Sequence, residues 1–240
     1  MRLARAATDD GVLAGEYRDG RLRTEHGTYA VAAEELLPPC EPTALYCVGR
    51  NYAATLEQME YERPEEPDFF IKPPASLLGH CDPIAYPPFT EELTYAGELA
   101  AVVDTECRDV APADAPDVVR GYTVMNDVDA LDQQGRTARK AFRGSGPLGP
   151  WIETDVDPLD MEMHTDVAGE RRQEANTELM LFDAHEVVSF ISHRFTLQPG
   201  DVVAFGSPAN PGLVEPGDSV EITYEGVGTL RNEIVGSDAW

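Results

Sequence analysis

The sequence predicts a strand-rich α+β protein, and three patterns lead to that class. Stretches of alternating polar and apolar residues fill residues 1–40, which is typical of short antiparallel strands. Short apolar runs around Tyr46 and Leu99 predict buried strands. The clearest amphipathic helix is AHEVVSFISHRF at 184–195, so strands should outnumber helices and form a compact mixed sheet or barrel.

The N-terminal part of the chain predicts a small β-rich domain. Residues 11–31, GVLAGEYRDGRLRTEHGTYAV, divide into short strands, and the pair Asp19-Gly20 predicts a hairpin turn between two of them. The sequence Leu37-Pro38-Pro39 then interrupts regular structure. We therefore expect one domain over 1–43 and a second, larger one over 44–240.

The next elements alternate between buried strands and one helix. ALYCVG at 44–49 predicts a strand, and AATLEQMEY at 53–61 has the helical spacing of Leu56 and Met59. DFFIK at 68–72 and ELAAVVD at 98–104 predict two further strands.

The second half of the chain reads less regularly. APADAPDVVRGYTVMND at 111–127 predicts a helix followed by a strand, with Asp114 or Asp117 as the helix cap. ARKAFRGSGPLGPWIE at 138–153 is rich in Gly and Pro and predicts a loop. Two Pro-Gly-Asp turns, at 199–201 and 216–218, each precede a strand.

The chain is strongly acidic along its whole length. Lys and Arg number 18 against 44 Asp and Glu, which gives a formal net charge of −26. Such a surface repels itself at low salt and is screened at high salt, so the composition predicts a protein of a halophilic, salt-accumulating cell. The same charge argues against nucleic acid and anionic membranes as partners.

The cysteines and the start of the chain predict a cytoplasmic protein. Cys40, Cys47, Cys81 and Cys107 form no CxxC pair and are expected to be reduced and mostly buried. No run of 18 apolar residues is present, and MRLARAATDDG is too polar for a signal peptide.

Lysine is nearly absent from this chain. The 18 cations comprise 16 arginines and only Lys72 and Lys140, both with apolar or aromatic neighbours. An arginine could serve most surface roles, but it does not replace a compact ammonium in a site. The alternative is that both stems pack on apolar surface with the ammonium in water.

Two carboxylates lie beside apolar strands. Glu98 is in TYAGELAAVV and Asp127 is in YTVMNDVDA. Two such groups suit a hard cation such as Mg²⁺, which takes a few carboxylates and keeps water ligands. The alternative is that each pairs with an arginine or caps a turn.

Nine strings of this sequence resemble one known family. They are, in chain order, ALYCVGRNYAAT, DFFIKPPASLLG, TYAGELAAVV, VVRGYTVMNDVDALD, RKAF, GPLGPWI, NTELMLF, LQPGDVVAFGSPANPG and VGTLRNEIV. Together they resemble the fumarylacetoacetate hydrolase family over about residues 44–236. The N-terminal segment is similar to the small domain of bacterial and archaeal members.

The resemblance implies a fold and a chemistry. The fold would be a mixed β-sandwich or roll with a few helices and a deep pocket. Mg²⁺ or Mn²⁺ would be held by three carboxylates and would polarise a small 2-oxo acid or β-dicarbonyl substrate. A short lid helix would supply a His and a Glu that activate water. Members are commonly homodimers, and relatives carry out C–C hydrolysis, decarboxylation or keto–enol isomerisation.

Several positions match the family pattern. Glu98 and Asp127 match two metal ligands, Lys140 matches the pocket lysine, and Lys72 matches the lysine of the FxKP string. The resemblance also implies five substrate-binding positions: Arg50, Tyr52, Gln134, Thr177 and Ser207.

Other positions depart from it. Ala96 stands at the third metal ligand, Thr55 and Gln58 stand at the lid His and Glu, and Leu131 stands at an arginine. Thr and Gln can hydrogen-bond but cannot act as a base near neutral pH, and removing a general base costs about 10²–10⁴-fold in rate.

Two functions therefore remain open. The first is an enzyme with a reduced site that binds a small 2-oxo acid or β-dicarbonyl through Glu98, Asp127 and the two lysines. Its catalytic positions would be Lys140, Lys72, Thr55 and Gln58, and decarboxylation or tautomerisation there needs no activated water. The second is a non-catalytic descendant that serves as a binding protein or subunit.

Overall fold

The computed structural model describes residues 1–60, 62–209 and 211–240 and is built mainly of strands. Strands β1 to β7 are Arg2–Thr8, Gly11–Arg18, Arg21–Thr24, Gly27–Ala30, Leu36–Leu37, Leu45–Gly49 and Asp68–Lys72. Strands β8 to β13 are Leu77–Leu78, Ile84–Ala85, Leu93–Thr94, Gly97–Val103, Val119–Asn126 and Asp129–Ala130. Strands β14 to β19 are Gly146–Glu153, Glu162–Val167, Glu170–Asn176, Val202–Ala204, Ser219–Tyr224 and Gly228–Val235.

Helices are few and short among the described residues, which confirms the strand-rich class. The α-helices are α1 (Ala53–Met59), α2 (Arg136–Lys140) and α3 (Ala184–Ser192). Short 3-10 helices cover Ala33–Glu35, Pro74–Ser76, Pro112–Asp117, Thr177–Leu179 and Ser237–Ala239. The predicted helix 53–61 corresponds to α1, and Tyr61 lies outside the described residues. No described helix is long and apolar enough to cross a bilayer.

The N-terminal strands form a meander that continues the central sheet. Strands β1 to β4 pair antiparallel in sequence order, and the predicted Asp19-Gly20 turn joins β2 to β3 with positive φ at both residues. β1 then pairs with β14 through Leu3 and Ile152. The meander has its own apolar cluster, which includes Tyr17 and Leu22, but shares a sheet with the rest of the chain. The division at residue 43 stays a prediction.

The central sheet runs in the order β4-β3-β2-β1-β14-β12-β11-β17-β6-β7, and a second sheet runs β16-β15-β18-β19-β9. All seven residues of β11 are buried, because both of its faces are covered. Leu99 and Val103 face one core with α3 and the second sheet, and Ala100 and Val102 face the other. This alternation is the two-residue period of a strand.

Two local predictions are wrong. Residues 146–153 form strand β14 rather than a loop, and the pairing with β12 shifts register between Tyr122 and Val124, which accommodates Pro150 in the strand. The predicted helix near 112 is a 3-10 helix that starts after Ala111 without a side-chain cap, so neither Asp114 nor Asp117 caps it.

Asp201 ties the start of the larger predicted domain to the sheet. The residue is fully buried, and its carboxylate accepts bonds from Thr43 N (2.8 Å), Thr43 Oγ1 (2.7 Å), Ala44 N (3.2 Å) and Gln198 N (2.9 Å). A buried donor left without an acceptor costs about 1–3 kcal/mol.

Asp201→Ala is therefore expected to lower the free energy of unfolding by several times the loss seen in Asp218→Ala, measured by urea denaturation. Asp218 occupies the same place in the second Pro-Gly-Asp turn and accepts from Glu215 N, but that bond is exposed. Equal losses in the two variants would show that only the turn matters.

Candidate functional site

A cavity of about 660 Å³ opens beside the first residues of β11. Of the residues expected in a site, seven line it: Arg50, Thr55, Gln58, Glu98, Asp127, Lys140 and Ser207. Its described lining also includes Phe70, Ala96, Asp129, Leu131, Arg136, Arg139 and Leu213. The fold therefore brings most of the predicted positions to one place.

Antiparallel pairing puts the two predicted metal carboxylates at the same end of the sheet. Glu98 opposes Met125 in the β11–β12 pair, and Asp127 follows directly after β12. The amide of Asp127 donates to the carbonyl of Ala96 at 2.9 Å, which closes this end of the pair. Residues 29 positions apart in the chain thus become neighbours.

Asp127 is held between both lysines of the chain. Lys72 Nζ lies 2.8 Å from Asp127 Oδ1, and Lys140 Nζ pairs with Asp127 Oδ2. Lys140 also reaches Asp129 Oδ2 at 3.1 Å and lies 5.0 Å from the centroid of the Phe70 ring. Lys140 keeps 15% of its side chain exposed, so it faces the cavity.

Lys72 is a buried support rather than a lining residue. Strand alternation turns Phe70 and Lys72 inward and Ile71 outward. Besides the Asp127 pair, Lys72 Nζ donates to the carbonyls of Val128 (3.1 Å), Lys140 (2.5 Å) and Ser145 (2.8 Å). Its side chain has no exposed surface. The sequence predicts that Lys72 contacts a ligand, but the structure does not place it to do so, because every donor of its ammonium points at protein atoms.

Helix α2 carries three cations, of which the sequence analysis predicts a site role only for Lys140. Arg136 makes a bidentate pair with Asp68 (2.7 and 2.7 Å), and Arg139 makes one with Asp129 (2.9 and 2.6 Å). With Lys140 they follow the i, i+3, i+4 spacing that places side chains on one helix face. The run RTARK, with three cations within five residues of a strongly acidic chain, is the sequence signal for the two arginines.

The lid side of the cavity, formed by α1 with Thr55 and Gln58, is polar and hydrogen-bonds to the loop after β17. Thr55 Oγ1 donates to the carbonyl of Ser207 at 3.1 Å, and Gln173 Nε2 donates to Ser207 Oγ at 2.9 Å. Arg50 lies on the same side, with its Nε 3.7 Å from Asp68 Oδ2. Thr55 and Gln58 therefore line the cavity as hydrogen-bonding groups.

Three expected substrate-binding residues do not line the cavity. Tyr52 and Thr177 are buried in the fold, and Thr177 Oγ1 accepts the amide of Met161 at 2.9 Å. Gln134 is exposed in the turn before α2, and its neighbour Gln133 lines the cavity instead. Tyr52 and Thr177 miss the cavity because they pack inside the fold, and Gln134 misses it because the turn places its neighbour there.

The two carboxylates have opposite protonation behaviour. Burial, and secondarily the charge of Asp127, raises the pKa of Glu98 to about 8. Burial would also raise the pKa of Asp127, but Lys140 and Lys72 outweigh it and hold that pKa below its usual value. The proton therefore belongs on Glu98, whose carboxyl accepts the amide of Gly206 at 3.1 Å, and the negative charge belongs on Asp127.

The donor set fits a hydrated divalent cation. The described residues contain no group of three or more His, Cys, Asp or Glu side chains placed to hold a metal. Mg²⁺ often binds through one or two carboxylates and completes its shell with water and substrate oxygens. Glu98 is a buried carboxyl with no ion pair among the described residues, and a cation is what such a group lacks.

Two solved structures of other proteins resemble this chain over nearly its whole length. The 5-carboxymethyl-2-hydroxymuconate delta-isomerase from Mycobacterium smegmatis has a similar structure, with a TM-score of 0.90 and 39% identity over 98% of this chain and 99% of that one. The maleylpyruvate hydrolase from Sphingobium sp. SYK-6, solved with manganese(II) and pyruvate, has a TM-score of 0.85 and 28% identity over 98% and 99%.

Sequence comparison identifies a related enzyme and a family model that match this chain. A 4-hydroxyphenylacetate degradation bifunctional isomerase/decarboxylase from Salmonella dublin is 37% identical over 80% of this chain, which spans 46% of that protein. The family model for the C-terminal region of fumarylacetoacetate (FAA) hydrolase matches residues 44–235. The chain therefore belongs to the fumarylacetoacetate hydrolase family.

Proposed function

We propose that this protein binds a small 2-oxo acid or β-dicarbonyl compound in the cavity and catalyses its decarboxylation or keto–enol isomerisation, with Mg²⁺ or Mn²⁺ as cofactor. The observation that carries the proposal is the convergence of Glu98, Asp127 and Lys140 on one cavity. The isomerase and isomerase/decarboxylase names of two relatives support the reaction class.

Glu98 and Asp127 are the residues that would hold the ion. When bound, a divalent cation supplies Lewis-acid polarisation of the substrate carbonyl. The protein contributes Lys140, whose ammonium faces the cavity and stabilises negative charge as an enolate develops in the ligand. The pairs with Asp127 and Asp129 raise the pKa of Lys140 against the effect of burial, so it stays charged in this role.

Loss of the lid acid and base argues against hydrolysis. Thr55 and Gln58 occupy the lid side, and neither takes a proton from water near neutral pH. Decarboxylation and tautomerisation need no activated water. Ala96 lines the cavity next to Glu98, so a weaker cation site is expected than one with three carboxylates.

The same departures favour a second candidate, a protein that binds the ligand without turning it over. Thr55, Gln58 and Ala96 support it directly, because they remove the water-activating pair and one carboxylate. The two candidates share the ligand and differ only in what happens to it.

One experiment separates them. Mg²⁺ or Mn²⁺ binding is measured by calorimetry in about 2 M KCl, where surface carboxylates are screened. Loss of the C3 protons of a 2-oxo acid in D₂O is then followed by proton NMR, and oxaloacetate is tested for loss of CO₂. Exchange or CO₂ release that needs the metal and disappears in Lys140→Met supports the enzyme. Metal binding without either reaction supports the non-catalytic protein, and absence of metal binding contradicts both candidates.

A cytoplasmic homodimer adapted to high salt is part of the proposal. The net charge of −26 supports the adaptation, because screening by salt relieves repulsion among surface carboxylates. The melting temperature is expected to rise by 10 °C or more, on the order of a few kcal/mol in stability, between about 0.1 M and 3 M KCl. An unchanged melting temperature in a thermal scan would contradict it.

A further inference from the structure

The cavity has two walls of opposite chemistry. Helix α2 supplies a charged wall with Arg136, Arg139 and Lys140, each of which is paired with an aspartate. The apolar part of the lining comes from Leu131 and Leu213 together with Pro211. A ligand that fills such a space needs an anionic end and an apolar end.

Strand β10 fixes the two leucines on a single surface. On one side of it, Leu93 opposes Ala130, and Leu131 N donates to the carbonyl of Glu92 at 2.8 Å. On the other side, Thr94 bridges to Leu213, and Thr94 Oγ1 donates to the carbonyl of Gly212 at 2.6 Å. Leu131 and Leu213 therefore flank one strand and are held by backbone pairing rather than by a free loop.

Both leucines remain unusually open for cavity residues. Leu131 is 40% exposed and Leu213 is 53% exposed, so apolar surface faces the space that a ligand would enter. Covering it removes apolar area from water, which is worth about 0.8 kcal/mol for each buried CH₂ group.

We propose that Leu131 and Leu213 determine specificity, so that the cavity prefers a 2-oxo acid with an uncharged apolar tail over one with a second carboxylate. This inference rests on the proposed function and deepens it by naming the substrate class. The carboxylate of the ligand lies toward Lys140, and the tail lies on the leucines.

The test is a calorimetric series of 2-oxo acids at saturating Mg²⁺ in about 2 M KCl. Pyruvate, 2-oxobutyrate, 2-oxopentanoate and 2-oxohexanoate lengthen the tail by one methylene at a time, and 2-oxoglutarate has a carboxylate in place of the terminal methyl group of 2-oxopentanoate. Affinity is expected to rise about fourfold for each methylene, and 2-oxopentanoate should bind more tightly than 2-oxoglutarate.

Matched variants assign the effect to the two side chains. Leu131→Ser and Leu213→Ser should each flatten the dependence on tail length while pyruvate affinity stays near its wild-type value. Leu179→Ser is the control, since Leu179 is 55% exposed but lies outside the cavity. Equal affinity across the series, tighter 2-oxoglutarate, or a length dependence unchanged in both cavity variants overturns this inference and leaves the proposed function intact. Absence of binding by every 2-oxo acid overturns this inference together with the 2-oxo acid part of the proposed function.

Discussion

Lys72→Met is expected to lower the free energy of unfolding by about 3–5 kcal/mol, the loss typical when one partner of a buried ion pair is removed. The substitution removes the Lys72 donor to the carbonyl of Val128 and one of the two donors to the carbonyl of Ser145, which keeps the amide of Val128. It also removes one of the two cations that pair with Asp127. Urea denaturation in high salt measures the change, because urea adds no ionic strength.

Lys140→Met is the matched control, since it removes the same charge and adds the same side chain. After that change Asp127 still has Lys72 and Asp129 still has Arg139, so the stability loss should be much smaller. Ligand binding should instead be lost, because Lys140 is the lysine that faces the cavity. Similar stability losses in the two variants would mean that Lys72 is no more structural than Lys140.

Apparent affinity for Mg²⁺ is expected to rise steeply with pH up to about 8, the pKa of Glu98. The raised pKa means that Glu98 carries a proton at neutral pH, and a cation must displace it. Competition with one proton predicts affinity about 50-fold higher at pH 8 than at pH 6, and a change of only about twofold above pH 8. Calorimetry in buffers of different ionisation enthalpy measures the proton that is released.

Glu98→Gln provides the control for that titration. The amide is neutral at every pH, so residual binding should be weak and should lose its dependence on pH between 6 and 8. Wild-type affinity that is flat over this range, or a variant that keeps the slope, would place the titrating group elsewhere.

Much of the fold follows from local patterns that the sequence displays directly. Alternation marks the N-terminal hairpin at Asp19-Gly20, and apolar spacing marks α3, because each of these needs only neighbouring residues. Strand β14 was missed because Gly and Pro at 146–150 oppose strand structure locally, and only pairing with β12 and β1 stabilises it.

The site shows the same division. Glu98, Asp127 and Lys140 were predicted from their apolar surroundings and from family strings, and they meet in the cavity. Strand β7 turns Lys72 inward, so Lys140 is the lysine that faces the cavity. A sequence string does not show which face of a strand a residue occupies. The apolar wall of Leu131 and Leu213 depends on two pairings with β10 from distant parts of the chain.

The three cations of α2 lie beside the cavity of a molecule whose net charge is −26. An anionic ligand that diffuses toward the cavity is repelled by the molecule as a whole and attracted only at short range. Salt shortens the reach of that repulsion to about 3 Å at 1 M, so the encounter should become faster as ionic strength rises. Steered association in most proteins slows under the same change. Concentrated salt would then act on the rate of capture as well as on the folded state.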